Sequence, residues 1–331
     1  MTVSVVLSTH NGEPFLGEQL RSLADQAVLP DELVARDDGS TDGTLAILES
    51  FQRQAPFPVR VFSGERIGYK KSFWDAARSA TGDIVAFCDQ DDVWRPEKVA
   101  TIKAAFTPET TMVGHGLQAF DSASGSVVGR IGGARARFVP QPMGMGYHFV
   151  VHGCAAAFRR SVLEPHLGLP LPEYDQTAIF CHDGYACLLA NASGGVRLLP
   201  DLLVRYRRHA RNVTDSIPQP VPLAAVTSRF SSRVQAVKAY AESARYYESL
   251  AGFFRSHPLY ASDPRMATIA GHLSRMAEHC EKRAEVFRGS SRAGSLWLVA
   301  RNLREGVYGP HSNAGLGWRA FAGDLLRVVK L

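Results

Sequence analysis

Val3-Ser4-Val5-Val6-Leu7-Ser8, followed by Thr9-His10-Asn11-Gly12-Glu13, decides the fold, because a short apolar run ends in a polar loop and helical periodicity then covers residues 14–26. The same unit recurs. Glu32-Leu33-Val34-Ala35-Arg36-Asp37 leads into Asp38-Gly39-Ser40-Thr41-Asp42-Gly43 and a helical pattern over 42–54. Pro58-Val59-Arg60-Val61-Phe62 precedes a helix over 70–80, and Asp83-Ile84-Val85-Ala86-Phe87 one over 96–106. This βαβα rhythm predicts an α/β fold with a mostly parallel sheet, flanked by helices through right-handed crossovers. Ligands of such sheets bind beyond the carboxyl ends of the strands, where these polar loops fall.

The loop after the fourth strand is Cys88-Asp89-Gln90-Asp91-Asp92-Val93-Trp94, with three carboxylates in four residues. Like charges this close raise one another's pKa unless a cation sits among them. Hard oxygen ligands suit Mg²⁺ or Mn²⁺, and Mg²⁺ tends to bind through one or two carboxylates plus substrate phosphates. A solvated acidic loop that caps a helix beginning near Pro96 is the alternative. In Asp37 to Gly43, Ser40 or Asp42 suits a helix cap, while the adjacent Asp37 and Asp38 exceed what a cap requires. Farther on, Asp201 to Tyr206 reads as a strand, followed by the basic loop Arg207-Arg208-His209-Ala210-Arg211-Asn212.

Four pieces in order, Val3 to Asn11, Asp37 to Thr44, Asp89 to Trp94, and His182-Asp183 with Tyr206 to His209, make residues 2–215 resemble a family 2 glycosyltransferase of the GT-A fold. The bacterial rhamnosyltransferase-like subgroup is the nearest in pattern. The resemblance implies that Ser8, Thr9 and Asn11 lie against a nucleotide and that Asp37 and Asp38 lie at its base. A carboxylate at Asp38 suits the imide N–H of uracil or thymine. Asp89, Gln90, Asp91, Arg208 and His209 are implied donor contacts, with Asp91, Asp92 and His209 around Mg²⁺ or Mn²⁺. Asp183 is the implied base, which removes the acceptor's proton in a single inverting displacement. His152, His182 and Trp94 are acceptor-side candidates. One departure is Tyr69-Lys70-Lys71-Ser72, where the subgroup usually carries Asn a few residues after Gly68. Lys71 or Ser72 then becomes a candidate phosphate or sugar contact, as does Arg66.

Composition agrees with a packed enzyme: 331 residues, 45% apolar, net charge +5 and five cysteines without C-x-x-C spacing. Neither a disulfide framework nor a zinc motif is predicted. The absence of a leader pattern or a spanning apolar run points to the cytosol. Gly114-His115-Gly116-Leu117-Gln118-Ala119 mimics a dinucleotide fingerprint, but strand-like residues follow it. Near Pro218-Gln219-Pro220-Val221-Pro222 the character changes, which predicts a catalytic domain over 1–217 (nucleotide-sugar half 1–110, acceptor half 111–217) and a helical C-terminal domain over 218–331. Val237, Ala241, Ala244, Tyr247, Ala251 and Phe254 form one stripe, and Met266, Ile269, Leu273, Met276, Cys280, Ala284 and Phe287 another, as in two antiparallel helices. After residue 221 the chain has 16 Lys plus Arg against 8 acids. Its Trp, Phe and Leu mixed with Arg suit either the anionic cytoplasmic face of an inner membrane or docking on the catalytic domain. No nucleic-acid motif accompanies that charge. The expected partners are a dTDP- or UDP-linked sugar, with L-rhamnose first, and a surface-glycan or lipid-linked acceptor. A nucleotidyltransferase and a non-catalytic scaffold are the rival classes. The former usually has a basic Gly-rich loop after the first strand, where this chain has Thr9 to Glu13.

Overall fold

The computed structural model describes residues 1–133, 135–146, 149–171, 173–175, 178–179, 181–210, 212, 232–258, 260–289, 291–308 and 317–330. Two compact units emerge: Met1–Leu171 with Phe180–Ile217, and Pro172–Ile179 with Pro218–Leu331. Arg211 and the segment Pro218 to Pro222 lie outside the described residues.

In the first unit β1 (Val3–Thr9), α1 (Glu13–Ala24), β2 (Glu32–Asp37), α2 (Thr44–Gln54), β3 (Val59–Ser63), α3 (Tyr69–Arg78) and β4 (Ile84–Asp89) alternate as expected. β5 (Val93–Trp94), α4 (Lys98–Ala105), β6 (Met112–Asp121), β7 (Val127–Ile131) and β8 (Arg137–Val139) follow. Then come a 3₁₀ turn (Gly153–Ala155), β9 (Ala156–Arg159), α5 (Arg160–Leu167), α6 (His182–Ser193) and β12 (Val196–Arg208). The main sheet runs β3-β2-β1-β4-β9-β6-β12-β5, with β7 beside β6 and β8 beside β12. β1 to β4 are mutually parallel, as are β6 and β12, whereas β9 and β5 run antiparallel to their neighbours. The dinucleotide-like Gly114 to Ala119 is part of strand β6.

β1 is buried along its whole length, as a central parallel strand covered on both faces must be. Val3, Val5 and Leu7 join Leu16, Leu20, Leu23 and Leu48 in one core, while Ser8 on the opposite face bonds Ser72 of α3 at 2.7 Å. Ser8 pairs in register with both Arg36 and Asp89, and Thr9 with Asp37. The ends of β1, β2 and β4 therefore form one rim.

At the opposite end of β2, Glu32 accepts hydrogen bonds from Ser4 Oγ (2.5 Å), Thr81 N (2.6 Å), Thr81 Oγ1 (2.8 Å) and Arg60 Nη2 (2.5 Å). Burial works to raise its pKa, but these donors outweigh it and hold the carboxyl at about 2, below the ordinary 4.5.

The second unit contains the short pair β10 (Glu173–Asp175) and β11 (Ala178–Ile179), and helices α7 (Arg233–Ser256), α8 (Pro264–Arg288), α9 (Arg292–Arg304) and α10 (Gly317–Lys330). Arg233 at the start of α7 donates to Gly289 O just past α8, so the two long helices run antiparallel. The predicted α8 stripe, Met266 to Phe287, is buried throughout. The α7 stripe holds from Ala244 to Phe254 and is rotated at its start, where Ala236 and Tyr240 are buried while Val237 and Ala241 are only partly buried. The reason is polar. Tyr240 turns inward because its hydroxyl donates to Asp324 at 2.5 Å and accepts from Arg283 at 2.7 Å. Among the described residues no helix is long and apolar enough to cross a membrane.

Glu32→Gln is expected to cost about 2 kcal/mol at neutral pH by weakening this set of donors. The wild-type contribution is full above the ordinary glutamate pKa and fades as pH falls toward the folded value. Urea unfolding of both proteins at pH 7 and near pH 3 should thus show a smaller difference at the acid end.

Candidate active site

At the strand-end rim the three polar loops are tied to one another. Gln90 accepts from His10 N at 2.9 Å and donates to His10 O at 3.1 Å. His10 Nδ1 lies 3.0 Å from Asp38 O, and Asn11 N donates to Ser40 Oγ at 2.9 Å. Asn11 adopts a positive φ of 47°, a conformation Asn tolerates better than most residues, and its Oδ1 accepts from Thr41 N at 2.9 Å. Gly39 has φ 71°, and a Cβ there would lie 3.2 Å from Arg66 N, so this turn requires glycine.

Asp38 is 2% exposed and paired with Arg36, itself 7% exposed, at 2.7 Å. Its Oδ1 also accepts from Ile67 N at 2.8 Å, and Oδ2 from Gly68 N at 2.9 Å. A carboxylate has about four lone-pair sites, so these three contacts leave one position on Oδ2. Arg36 is held in turn by Asp75 (3.0 Å), Ser72 Oγ (3.1 Å) and Glu65 O (3.1 Å).

A cavity of about 720 Å³ opens over this rim. Of the residues expected there, Ser8, Thr9, Asn11, Asp38, Arg66, Asp89, Gln90, Asp91, His152, His182, Asp183 and His209 all line it. Acids from just after β2, the end of β4 with its loop, and the start of α6 thus converge.

Five expected contacts fall outside the described lining, each for a definable reason. Asp37 is occupied by Thr9 Oγ1 (2.9 Å), Ser40 N (2.9 Å) and Ser40 Oγ (2.5 Å), so it builds the turn beneath the rim. Lys71 lies on the exposed side of α3 while Ser72 turns inward to Ser8 and Arg36. Trp94 is 2% exposed and stacks under Lys98 Nζ at 3.5 Å, which makes it core. The Arg208 guanidinium lies 6.0 Å from the Tyr206 ring centroid. Asp92 is fully buried, accepts from Arg207 N at 3.0 Å through Oδ1, and leaves Oδ2 without a partner among the described residues.

The acid loop is electrostatically strained. Burial, then the charge of Asp91, pushes Asp89 up to about 7, and burial with the charge of Asp89 also raises Asp92. Asp91 is paired with His209 Nε2 at 2.8 Å, whose ring stacks on Phe15 at 4.5 Å. The donor set fits a hard divalent cation: Asp89 and Asp91 offer carboxylate oxygens to the cavity and His209 an imidazole beside them. Asp92 instead anchors the loop from inside, close to Asp89 and Cys154.

Asp183 sits in the first turn of α6, with Oδ1 accepting from Gly184 N at 2.7 Å and Oδ2 from Gly153 N at 3.2 Å. Part of it thus serves the helix start, as a cap would, and part lines the cavity. His10, Phe15, Tyr69, Phe73, Gly153, Cys181, Tyr206 and Asn212 also line the cavity without having been singled out. His10 and Tyr69 lie beside recognised motif residues, so adjacency was their available signal. Phe73 and Phe15 occupy helix faces that look like core.

Residues 4–167 match the model of a family described as Glycosyl transferase family 2. Among curated proteins, an uncharacterized glycosyltransferase of Nostoc sp. is 34% identical over 122 residues, covering 37% of this chain and 38% of that protein. The dTDP-rhamnosyl transferase RfbG of Shigella flexneri is 33% identical over 98 residues, covering 28% of this chain and 34% of that protein. This chain therefore spans little more than a third of either relative. The structure of S. aureus TarS 1–349 in complex with UDP-GlcNAc superposes with a TM-score of 0.54 at 18% identity, covering 100% of this chain and 91% of that one. The fold is shared.

A methyl group at Gly153 would lie 3.1 Å from His182 Nε2 and 3.4 Å from Asp183 Cβ. Gly153→Ala is expected to destabilise by about 1–3 kcal/mol through overpacking, read as a lowered midpoint in urea unfolding.

Proposed function

Residues 4–167 of this chain belong to glycosyl transferase family 2, and on that footing we propose a metal-dependent, inverting transfer of one sugar from a pyrimidine nucleotide diphosphate to an acceptor hydroxyl. The observation that carries this reading is the meeting of Asp38, Asp91 and Asp183 around one cavity. The remaining lone pair of Asp38 accepts the imide N–H of uracil or thymine, and the backbone at Ser8, Thr9 and Asn11 flanks the nucleotide. Arg66 offers a positive charge to the diphosphate. Asp89, Asp91 and His209 would hold Mg²⁺ or Mn²⁺, which when bound supplies Lewis-acid stabilisation of charge growing on the leaving diphosphate. Asp183 takes the proton of the attacking hydroxyl. This makes the alcohol a competent nucleophile without a covalent sugar–enzyme intermediate. Gly153 N and Gly184 N fix the orientation of that carboxylate.

For the donor we put dTDP-L-rhamnose first, in line with the partial likeness to RfbG. A UDP-N-acetylhexosamine is the second reading, favoured by 35% identity over 111 residues to the poly(ribitol-phosphate) β-N-acetylglucosaminyltransferase TarS of S. aureus. The acceptor is read as a surface glycan or a lipid-linked precursor. Nucleotidyl transfer finds no support in the β1 loop, where the backbone of His10 and Asn11 is engaged with Gln90 and Ser40.

In the second unit, α9 presents Leu296, Trp297 and Leu303 as an exposed apolar face, with Trp297 62% exposed. Arg292 and Arg304 lie on the same helix, which carries no acid, while Arg301 is paired with Glu285 at 2.8 Å. That charge matches an anionic bilayer surface, and we assign the face to peripheral membrane contact.

Asp183→Asn is expected to lower transfer at least a thousandfold while nucleotide affinity stays within about twofold, as read by turnover and calorimetry. Asp91→Ala should instead abolish the dependence of nucleotide binding on Mg²⁺ or Mn²⁺. A panel of nucleotide sugars assayed with either ion names the donor, and equal affinity with and without metal in the wild type would reject the cation role. Trp297→Ser should reduce co-flotation with phosphatidylglycerol vesicles, with no binding to phosphatidylcholine vesicles by either protein.

A further inference from the structure

At the start of α6, three consecutive residues bring a thiol, an imidazole and a carboxylate together. The ligand atoms of Cys181, His182 and Asp183 lie within 4.8 Å of one another. Cys181 Sγ is 3.7 Å from His182 Nδ1 and 3.9 Å from the Tyr69 hydroxyl. Zn–S and Zn–N bonds of about 2.3 and 2.0 Å give a sulfur-to-nitrogen edge of roughly 3.5 Å in a tetrahedral site. The observed separation is close to that edge.

The imidazole is also held in place. His182 is 4% exposed, stacked on Phe73 at 4.1 Å and met edge-on by Phe87 at 5.0 Å. This clamp keeps Nδ1 directed at the Cys181 sulfur, which is the preorganisation that an orienting shell gives a ligand histidine. Burial pushes the His182 ring down to about 4, so it is neutral at physiological pH. Burial, then the charge of Asp183, pushes the Cys181 thiol up to about 12. A free nucleophilic thiolate is therefore not the role of this sulfur.

We propose that Cys181, His182 and Asp183 form a site for a soft divalent cation of the zinc class, chemically distinct from the oxygen-rich group at Asp89 and Asp91. Binding forms a metal–sulfur bond and releases the thiol proton to solvent, with no change in oxidation state. The fourth position is left to water or the Tyr69 hydroxyl. An ion held there engages the Asp183 carboxylate and stops it from accepting a proton, so zinc inhibits. That inhibitory consequence rests on the glycosyl-transfer reading, whereas the binding itself does not.

The test uses the full chain with Cd²⁺ as probe, followed by its thiolate-to-metal charge-transfer absorbance. Cys88, Cys187 and Cys280 are buried, and the buried Cys154 lies beside Asp89 and Asp92, so the band that reports on Cys181 is the one lost in Cys181→Ser. One equivalent of Cd²⁺ should raise the band in wild type, and Zn²⁺ but not Mg²⁺ should displace it. Cys181→Ser should remove the band, and Asp183→Asn, which keeps the thiol, should weaken Cd²⁺ affinity about tenfold or more. No band in wild type, or an undiminished band in Cys181→Ser, would overturn the site. In the second arm, Zn²⁺ should inhibit sugar transfer at saturating Mg²⁺, with at least a tenfold higher inhibitory concentration in Cys181→Ser relative to that variant's own zinc-free rate. A cadmium band without zinc inhibition upholds the site and removes Asp183 from the transfer step.

Discussion

Crowding of like charge at the buried end of β4 is the constraint around which the first unit is organised. Asp89, Asp91 and Asp92 occupy one tight turn, and each meets the cost differently. Asp92 turns inward onto the amide of Arg207, Asp91 pairs with His209, and Asp89 keeps a raised pKa at the cavity edge. Behind them stands a fully buried cation, Lys98, whose Nζ donates to Cys154 O at 2.6 Å and is pushed down by burial to about 8. Buried acids and a buried lysine are rarely found apart, and here the ammonium offsets part of the negative charge that the turn brings inside.

The rim facing that loop is stiffened by a second set of buried polar contacts. Arg36 couples Asp38 to α3 and to the backbone at Glu65, so a carboxylate that is almost fully enclosed stays oriented. Three of its acceptor positions are used by the protein, and a single free position is a more selective receptor than an unengaged carboxylate. Aromatic packing of Phe73 and Phe87 against His182 extends the same rigidity to the start of α6. The cavity is thus bounded by groups whose rotamers are fixed by neighbours beyond it.

Much of this was legible in the residues. The βα rhythm from Val3 to Phe87, the polar loops at strand ends and the acids at Asp38, Asp91 and Asp183 are local patterns, and the structure puts all three acids at one cavity. The placement of β9 between β4 and β6 was not legible, since Ala156–Arg159 is only four residues long and its antiparallel pairing depends on both neighbours. Asp37 and Trp94 were misplaced for the same reason. Asp37 sits beside Asp38, which faces the cavity, and Trp94 three positions past Asp91, which does; a local pattern does not say which residue of such a stretch points inward.

The amino-acid sequence by itself determined the order of strands and helices from Val3 to Phe87 and the residues that stand at those strand ends, because periodicity and turn chemistry act over a few positions. Only the tertiary structure decided which carboxylates face the cavity and which are anchored beneath it. Asp92 is turned by an amide 115 positions away in the chain, and Tyr240 rotates the α7 stripe to reach Asp324, 84 positions on. A buried polar atom must find its partner wherever the fold places one, and that requirement is not written in the neighbouring residues.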